Sequence, residues 1–285
     1  MLAPPAGAPV VRAGTKASAT ARVPAFPAAV ALAFVLWACW FVATYLLEGR
    51  LLTLLRPDAV GARVRYLLVA NLAIGTVAAG LVLRRLFRTG VVSSRQVGFH
   101  GVRRTVVAVL AGGVIGSGLY VAQGPPTLEP VVLLNGLAQV LAVTIPEVLV
   151  CWAVLGGALE GALVPRIGRW ATAVAGSGAA VLFGVYHYAH SPPFNTLQLV
   201  ALLTAVGVMT SVFFLLTRNV YGTIVFHNFM AAFGVLRALA QAGRLDAYSA
   251  PQPALIGSAI VALAALGAVH FLWLRAPLVA AAPSR

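Results

Sequence analysis

Eight long apolar runs, separated by short polar segments, divide this chain. They cover roughly residues 27–47, 66–83, 105–122, 131–163, 171–190, 197–216, 222–241 and 253–274. A helix needs about 20 apolar residues to cross the hydrocarbon core of a bilayer, so each run is long enough to span it. Charged residues fill only 9% of the 285 positions, against about a quarter in soluble domains. The pattern predicts an all-α fold, a polytopic membrane helix bundle of about eight transmembrane helices.

The loops between the runs are short, which predicts that one bundle forms a single domain over residues 26–275. Residues 1–25 are predicted to be a disordered basic N-terminal tail, and residues 276–285 a C-terminal tail. The fourth run is too long for one upright helix and has Pro146 in its middle. Proline removes a helical hydrogen bond and clashes with the preceding turn, so we expect a kink or a break there.

The formal net charge of +14 has its origin in Arg residues that lie mostly between the apolar runs. With the N-terminus inside, 14 Lys and Arg residues fall on the inner side and five on the outer side. The positive-inside rule then predicts a multi-pass plasma-membrane protein with both termini cytoplasmic. The first loop and its four arginines oppose this orientation, unless that loop is an interfacial helix or the first two spans are misassigned. The Ala, Gly, Val and Arg bias indicates a bacterium.

The charge distribution also bears on partners. No motif that reads DNA or RNA is present, so nucleic acid is excluded as a partner, and the lipid bilayer is the expected surroundings.

Six acidic residues are present, and Glu147 lies deepest within an apolar run. A carboxyl group at that depth is costly and normally faces the bundle interior or a water-filled cavity. Glu147 is therefore the first candidate for a functional role. Glu160 lies 13 residues further, near the end of the run and near Arg166, and is expected to form an ion pair with an arginine.

Three histidines lie at or near span ends. His187 and His190 share a face at i, i+3 if their helix continues that far, and His227 opens the seventh span. His100, in a loop, and His270, in the last span, are interpreted as background.

A buried carboxylate can act as a general base on water, and a histidine can stabilise an oxyanion. The same side chains could ligate a divalent metal ion or form a proton relay in a carrier.

Three segments resemble the motifs of one membrane-protein family. Residues 146–151 resemble an EExxxR motif, residues 183–187 match FxxxH, and residues 227–231 align with HxxxN or HxxxD. The segment 97–104, with Arg103 and Arg104, is similar to the basic segment that precedes the core of that family. The chain thereby resembles the CPBP family, the CAAX-protease and bacteriocin-processing membrane proteins also called ABI proteins, over about residues 95–240.

The resemblance implies an intramembrane endopeptidase that cleaves a membrane-embedded peptide or protein substrate by glutamate-activated water. It implies Glu147, His187 and His227 as catalytic residues. Phe183, Asn228 and His190 are further candidates for a supporting role. No metal ligand is assigned and no cofactor is certain, although many members are labelled metalloproteases, so a divalent metal stays open.

The sequence departs from the family at three motif positions. Pro146 stands where the family has its first Glu, Cys151 where it has Arg, and Ala231 where it has Asn or Asp. Asn228 is no simple substitute, because residue i+1 points about 100° away on a helix. A catalytically impaired pseudoprotease that acts as a binding or regulatory scaffold is therefore one alternative, and a proton-coupled carrier is another. Straight helices would also place His187 and His227 at different depths.

Overall fold

The computed structural model of the protein describes residues 25–56 and 58–275. The two predicted tails lie outside these residues, except for Ala25 at the end of the first. Every regular element in the described part of the chain is helical. This confirms the predicted all-α fold.

Ten α-helices occur among the described residues: α1 (Ala25–Thr44), α2 (Val60–Tyr66), α3 (Ala79–Arg88), α4 (Val102–Ala122), α5 (Pro130–Glu147), α6 (Gly157–Ile167), α7 (Trp170–Tyr186), α8 (Leu197–Thr217), α9 (Val220–Gln241) and α10 (Pro253–Val269). Segments with π-type hydrogen bonding extend or join several of them: Tyr45–Gly49, Leu67–Ala78, Val148–Gly156 and His270–Leu274. Short 3₁₀ turns cover His187–Ala189 and Leu245–Tyr248.

Seven continuous helical stretches in the described chain are long and apolar enough to cross a membrane. The remaining predicted span, the fifth at residues 171–190, corresponds to α7, which has 17 residues and continues in the 3₁₀ turn that follows it. The protein is thus a multi-pass membrane protein, and its helices agree closely with the eight apolar runs of the sequence.

Of the two outcomes expected at Pro146, a kink or a break, the helix shows no break. A single helical stretch of 38 residues runs from Pro130 to Ile167 and passes through this proline. Immediately after Glu147 the backbone changes to the wider π-type pattern, which begins at Val148. A π-type insertion is one of the known ways in which a helix absorbs a local irregularity without ending.

The same 38-residue stretch forms the centre of the bundle. In its most apolar part 83% of the residues are buried, against 22% in α4. The peripheral α4 packs closely on α9, because Gly112 lies against the backbone of Gly222, and Gly222 lies against that of Ala108. Small residues at such positions allow two membrane helices to approach each other. The lipid-facing side of α4 carries exposed Val and Leu side chains.

The arginine-rich first loop is shorter than the sequence indicated, because α2 begins at Val60 and continues into the second helical stretch. Arg50 lies in the turn after α1, whereas Arg63 already lies within α2. Arg63 donates from Nε to the backbone oxygen of Thr53 at 3.1 Å and from Nη2 to that of Leu54 at 3.0 Å. The loop is therefore tied to the bundle through its own backbone.

Glu160 forms the expected ion pair with an arginine, but the partner is Arg218 and not the nearby Arg166. Both oxygens of Glu160 accept a hydrogen bond from Arg218, each at 2.7 Å. Arg166 instead donates to the backbone oxygen of Ala162 within its own helix. Arg218 comes from the turn between α8 and α9, so this pairing depends on the fold and could not be inferred from distance along the sequence.

Candidate functional site

The Glu147 carboxyl group lies at the junction of α5 and the π-type segment, in the most buried part of the central helix. The residue is only 4% exposed. Its neighbour Pro146 packs on Gly75 of the second span, where a larger residue would collide with the proline ring. This packing fixes the backbone that carries the carboxyl group at the centre of the bundle.

Two histidines from two other helices reach this carboxyl group. Nε2 of His227 lies 3.1 Å from Oε2 of Glu147, and Nε2 of His187 lies 3.8 Å from Oε1. The ring of Phe183 lies between the two imidazoles, with centroid distances of 4.7 Å to His187 and 5.0 Å to His227. The structure thus brings together the three residues that the resemblance implies as catalytic, and Phe183 with them.

The difference in depth expected for His187 and His227 is present, and α8, which packs between their helices, gives a measure of it. Phe183 lies against Gly207, whereas His227 lies beside Thr210, only three residues further along α8. His227 is thus about one turn below Phe183, and His187 is one turn above it. The carboxyl group of Glu147 reaches both from a third helix.

His190 joins the same cluster, although not on a continuing helix. The chain leaves the 3₁₀ turn at Ala189, and His190 has an extended backbone, so the helix does not continue far enough for the two histidines to share one face. The ring centroids of His187 and His190 nevertheless lie 5.3 Å apart. Nδ1 of His190 donates to Oε2 of Glu48 at 3.0 Å.

Glu48 is the residue that the sequence reasoning missed. It is completely buried, and it also accepts hydrogen bonds from the backbone N–H and the hydroxyl group of Ser191. Its only signal in the sequence is an acidic residue at the end of the first apolar run. Nothing in the sequence connects it with a histidine 142 positions away.

Each of the three imidazoles is held through Nδ1. His187 donates to the backbone oxygen of Phe183 at 2.9 Å, and His190 donates to Glu48 as described. The hydroxyl group of Thr210 donates to the backbone oxygen of Val206. Its oxygen therefore accepts from Nδ1 of His227 at 2.9 Å. The nitrogen that each ring leaves free for other partners is therefore Nε2.

A cavity of about 70 Å³ borders this cluster. That volume has room for a few water molecules. Glu147 and the three histidines line its polar side. The remaining wall is mostly apolar and includes Leu54, Val140, Val143, Phe194, Leu203, Val206, Met230 and Val235. The site is therefore a small group of polar side chains on the wall of an otherwise apolar cavity.

Asn228 and the three departures from the family motifs behave differently. Asn228 points away from the cavity and donates to the backbone oxygen of Leu137 at 3.2 Å, as its position one residue after His227 predicts. Ala231 does line the cavity, so the position where the family has Asn or Asp faces the site with only a methyl group. Cys151 is fully buried within the π-type segment.

Fold and site together define a multi-pass α-helical membrane protein with a buried cluster of one glutamate and three histidines. Comparison of the chain with protein-family models gave no match, and comparisons with curated proteins and with solved structures gave none either.

Proposed function

We propose that this protein is an intramembrane peptidase of the CPBP type, which hydrolyses a peptide bond with a water molecule activated at Glu147. The observation that carries the proposal is the position of the Glu147 carboxyl group. It lies between Nε2 of His187 and Nε2 of His227, beside a cavity large enough for water.

The proposed step follows from the hydrogen-bond partners. Glu147 accepts a proton from the water molecule, whose oxygen attacks the carbonyl carbon of the peptide bond. The same proton later goes to the leaving amine nitrogen as the carbon–nitrogen bond breaks. A proton held between His227 and Oε2 of Glu147 keeps that oxygen occupied, which leaves Oε1 to face the water.

His187 is suited to orient the water or to stabilise the oxyanion. Its Nδ1 is fixed by the backbone oxygen of Phe183, so its neutral ring accepts a hydrogen bond at Nε2 and its protonated ring donates one. Donors already in place before the reaction stabilise developing negative charge most effectively.

The walls of the cavity indicate the class of substrate. Aliphatic and aromatic side chains make up most of the lining, which favours an apolar segment of a membrane-embedded peptide or protein. We further propose a plasma-membrane location with cytoplasmic N- and C-termini, supported by the distribution of Lys and Arg.

The decisive experiment compares cleavage of membrane peptides by purified protein in proteoliposomes with cleavage by Glu147→Gln. We expect the substitution to lower the rate by about 10²–10⁴-fold, the usual loss on removal of a general base. Glu129→Gln is the matched control, because Glu129 lies at the N-terminus of the same helix. Equal cleavage by wild type and Glu147→Gln would remove Glu147 from the mechanism.

A pseudoprotease is the second candidate, and the methyl group of Ala231 in the cavity wall favours it. In that case the protein would bind membrane peptides without cleaving them, and Glu147→Gln would leave binding unchanged. The carrier alternative rests on the same buried groups and predicts Glu147-dependent substrate flux into proteoliposomes.

A further inference from the structure

We infer that Glu147, His187 and His190 form a binding site for one divalent transition-metal ion, with Glu48 holding His190 in place. One ligand atom from each of the three residues lies within 4.8 Å of the others. All three residues are buried, and all three line the same cavity. This inference does not depend on peptide hydrolysis, since an ion can bind whether or not the protein is an enzyme.

The free nitrogen of His190 is the first observation that supports the site. Nε2 of His190 is buried and has no hydrogen-bond partner among the described residues. An unpaired buried polar atom has lost its hydrogen bonds to water without replacing them, so such atoms call for an explanation. A metal ion in the cavity supplies a partner for it.

Hydrogen-bond accounting gives the second observation. A carbonyl oxygen can only accept, so His187 donates from Nδ1 to Phe183 and its neutral ring has a lone pair at Nε2. Glu48 already accepts from Ser191, so His190 likewise donates from Nδ1 and leaves its lone pair at Nε2. Two imidazole lone pairs and a carboxylate oxygen then share one buried pocket. Electron-pair donors grouped in this way are the arrangement that binds a cation.

The contacts behind the ligands match those of known metal sites. Metal-binding histidines almost always donate their second ring N–H to a carboxylate, a backbone carbonyl or water. His190 donates to the carboxylate of Glu48, and His187 donates to a backbone carbonyl. His227 contacts the other oxygen of Glu147 at 3.1 Å, so the ligating carboxylate is supported as well.

The donor set selects the class of ion. Two imidazole nitrogens and one carboxylate oxygen suit Zn²⁺ or Fe²⁺ and leave a coordination position open. Ca²⁺ and Mg²⁺ prefer oxygen ligands, so this set does not suit them. A bound ion of this class would lower the pKa of a coordinated water molecule.

The test is metal content, measured on intact protein purified without chelators and then incubated with Zn²⁺ or Co²⁺. We expect about one ion per chain. X-ray absorption of the bound ion should show scattering from two imidazole rings, and Co²⁺ should give visible absorption bands. No bound ion in the wild type, or a spectrum without imidazole scattering, would overturn the inference even if the variants failed to fold.

Variants locate the site. His190→Ala should abolish stoichiometric binding. Glu48→Gln, which retains an acceptor for His190, should weaken binding by about 10–100-fold. His100→Ala is the control, because His100 lies in a loop outside the cavity. Full metal content in a folded His190→Ala variant would contradict the site.

Metal content and peptide cleavage are separate measurements, so the two proposals can fail separately. Cleavage by a wild-type protein that takes up no ion in the metal-content measurement would remove the metal inference and leave the proposed function. A bound ion without cleavage of any membrane peptide would do the opposite.

Discussion

Arg218, at the turn between α8 and α9, forms a bidentate ion pair with Glu160. Their side chains are 21% and 9% exposed, and both hydrogen bonds measure 2.7 Å. The hydroxyl group of Thr172 also donates to Glu160. Loss of one partner leaves a largely buried charge without compensation, which is strongly destabilising.

We therefore expect Arg218→Gln to lower the free energy of unfolding by about 3 kcal/mol. Thermal unfolding in detergent should show a lower midpoint. Arg166→Gln is the control and should have little effect, since Arg166 is exposed and contacts only a backbone oxygen of its own helix. An unchanged midpoint in Arg218→Gln would mean that solvent or lipid headgroups compensate the charge.

Individual residues also mark the limit of what the sequence could predict. Glu147, His187 and His227 were selected as ionisable groups in apolar runs and by their motif positions, and the structure places them together. Glu48 was not selected, because its partner His190 is far away in the chain and no local pattern connects the two. Long-range contacts of this kind depend on helix packing, which single apolar runs do not encode.

At the scale of elements, the contact between α4 and α9 rests on glycine. A Cβ atom at Gly112 would collide with the backbone oxygen of Gly222, whereas one at the adjacent Gly113 would meet nothing within 4 Å. The two positions lie on the same helix in the same membrane-spanning stretch. Substitutions at these two positions therefore distinguish the effect of interhelical packing on stability from the effect of helix propensity.

Gly112→Ala should destabilise the protein by about 1–3 kcal/mol, the usual cost of an overpacked contact. Gly113→Ala should be neutral or slightly stabilising, because alanine favours a helix over glycine by up to about 1 kcal/mol. The measurement is the thermal midpoint of both variants in the same detergent. Equal midpoints would show that α4 shifts on α9 at little cost.

The presence and approximate extent of the helices were predictable, and their internal geometry was not. Apolar length and flanking polar residues marked all eight runs, and α8 begins and ends within one residue of the prediction. Pro146 was expected to kink or break the fourth run, and the helix continues through it with a change to π-type hydrogen bonding just beyond. Whether a proline breaks a helix depends on the neighbours that pack around it, here Gly75, and these are known only from the fold.

At the scale of the whole molecule, the proposed orientation can be tested with single cysteines. Thr89 and Gln123 are exposed at opposite ends of α4 and its preceding loop. With cytoplasmic termini, Gln123→Cys should react with a membrane-impermeant maleimide in intact cells, whereas Thr89→Cys should react only after permeabilisation. The reverse pattern would invert the orientation. The native Cys39 and Cys151 lie inside helical stretches and provide the background measurement.

The proposed orientation, with both termini cytoplasmic, determines which side of the membrane the Glu48–His190 contact faces. Glu48 lies at the far end of the first helical stretch, and His187 and His190 follow the far end of α7. In the proposed orientation both helices run outward, so Glu48, His187 and His190 lie on the extracytoplasmic side of the cluster. The peptides within its reach would then be those of exported or surface-anchored proteins. An ion bound there would be drawn from the metal supply outside the cell and not from the cytoplasmic pool.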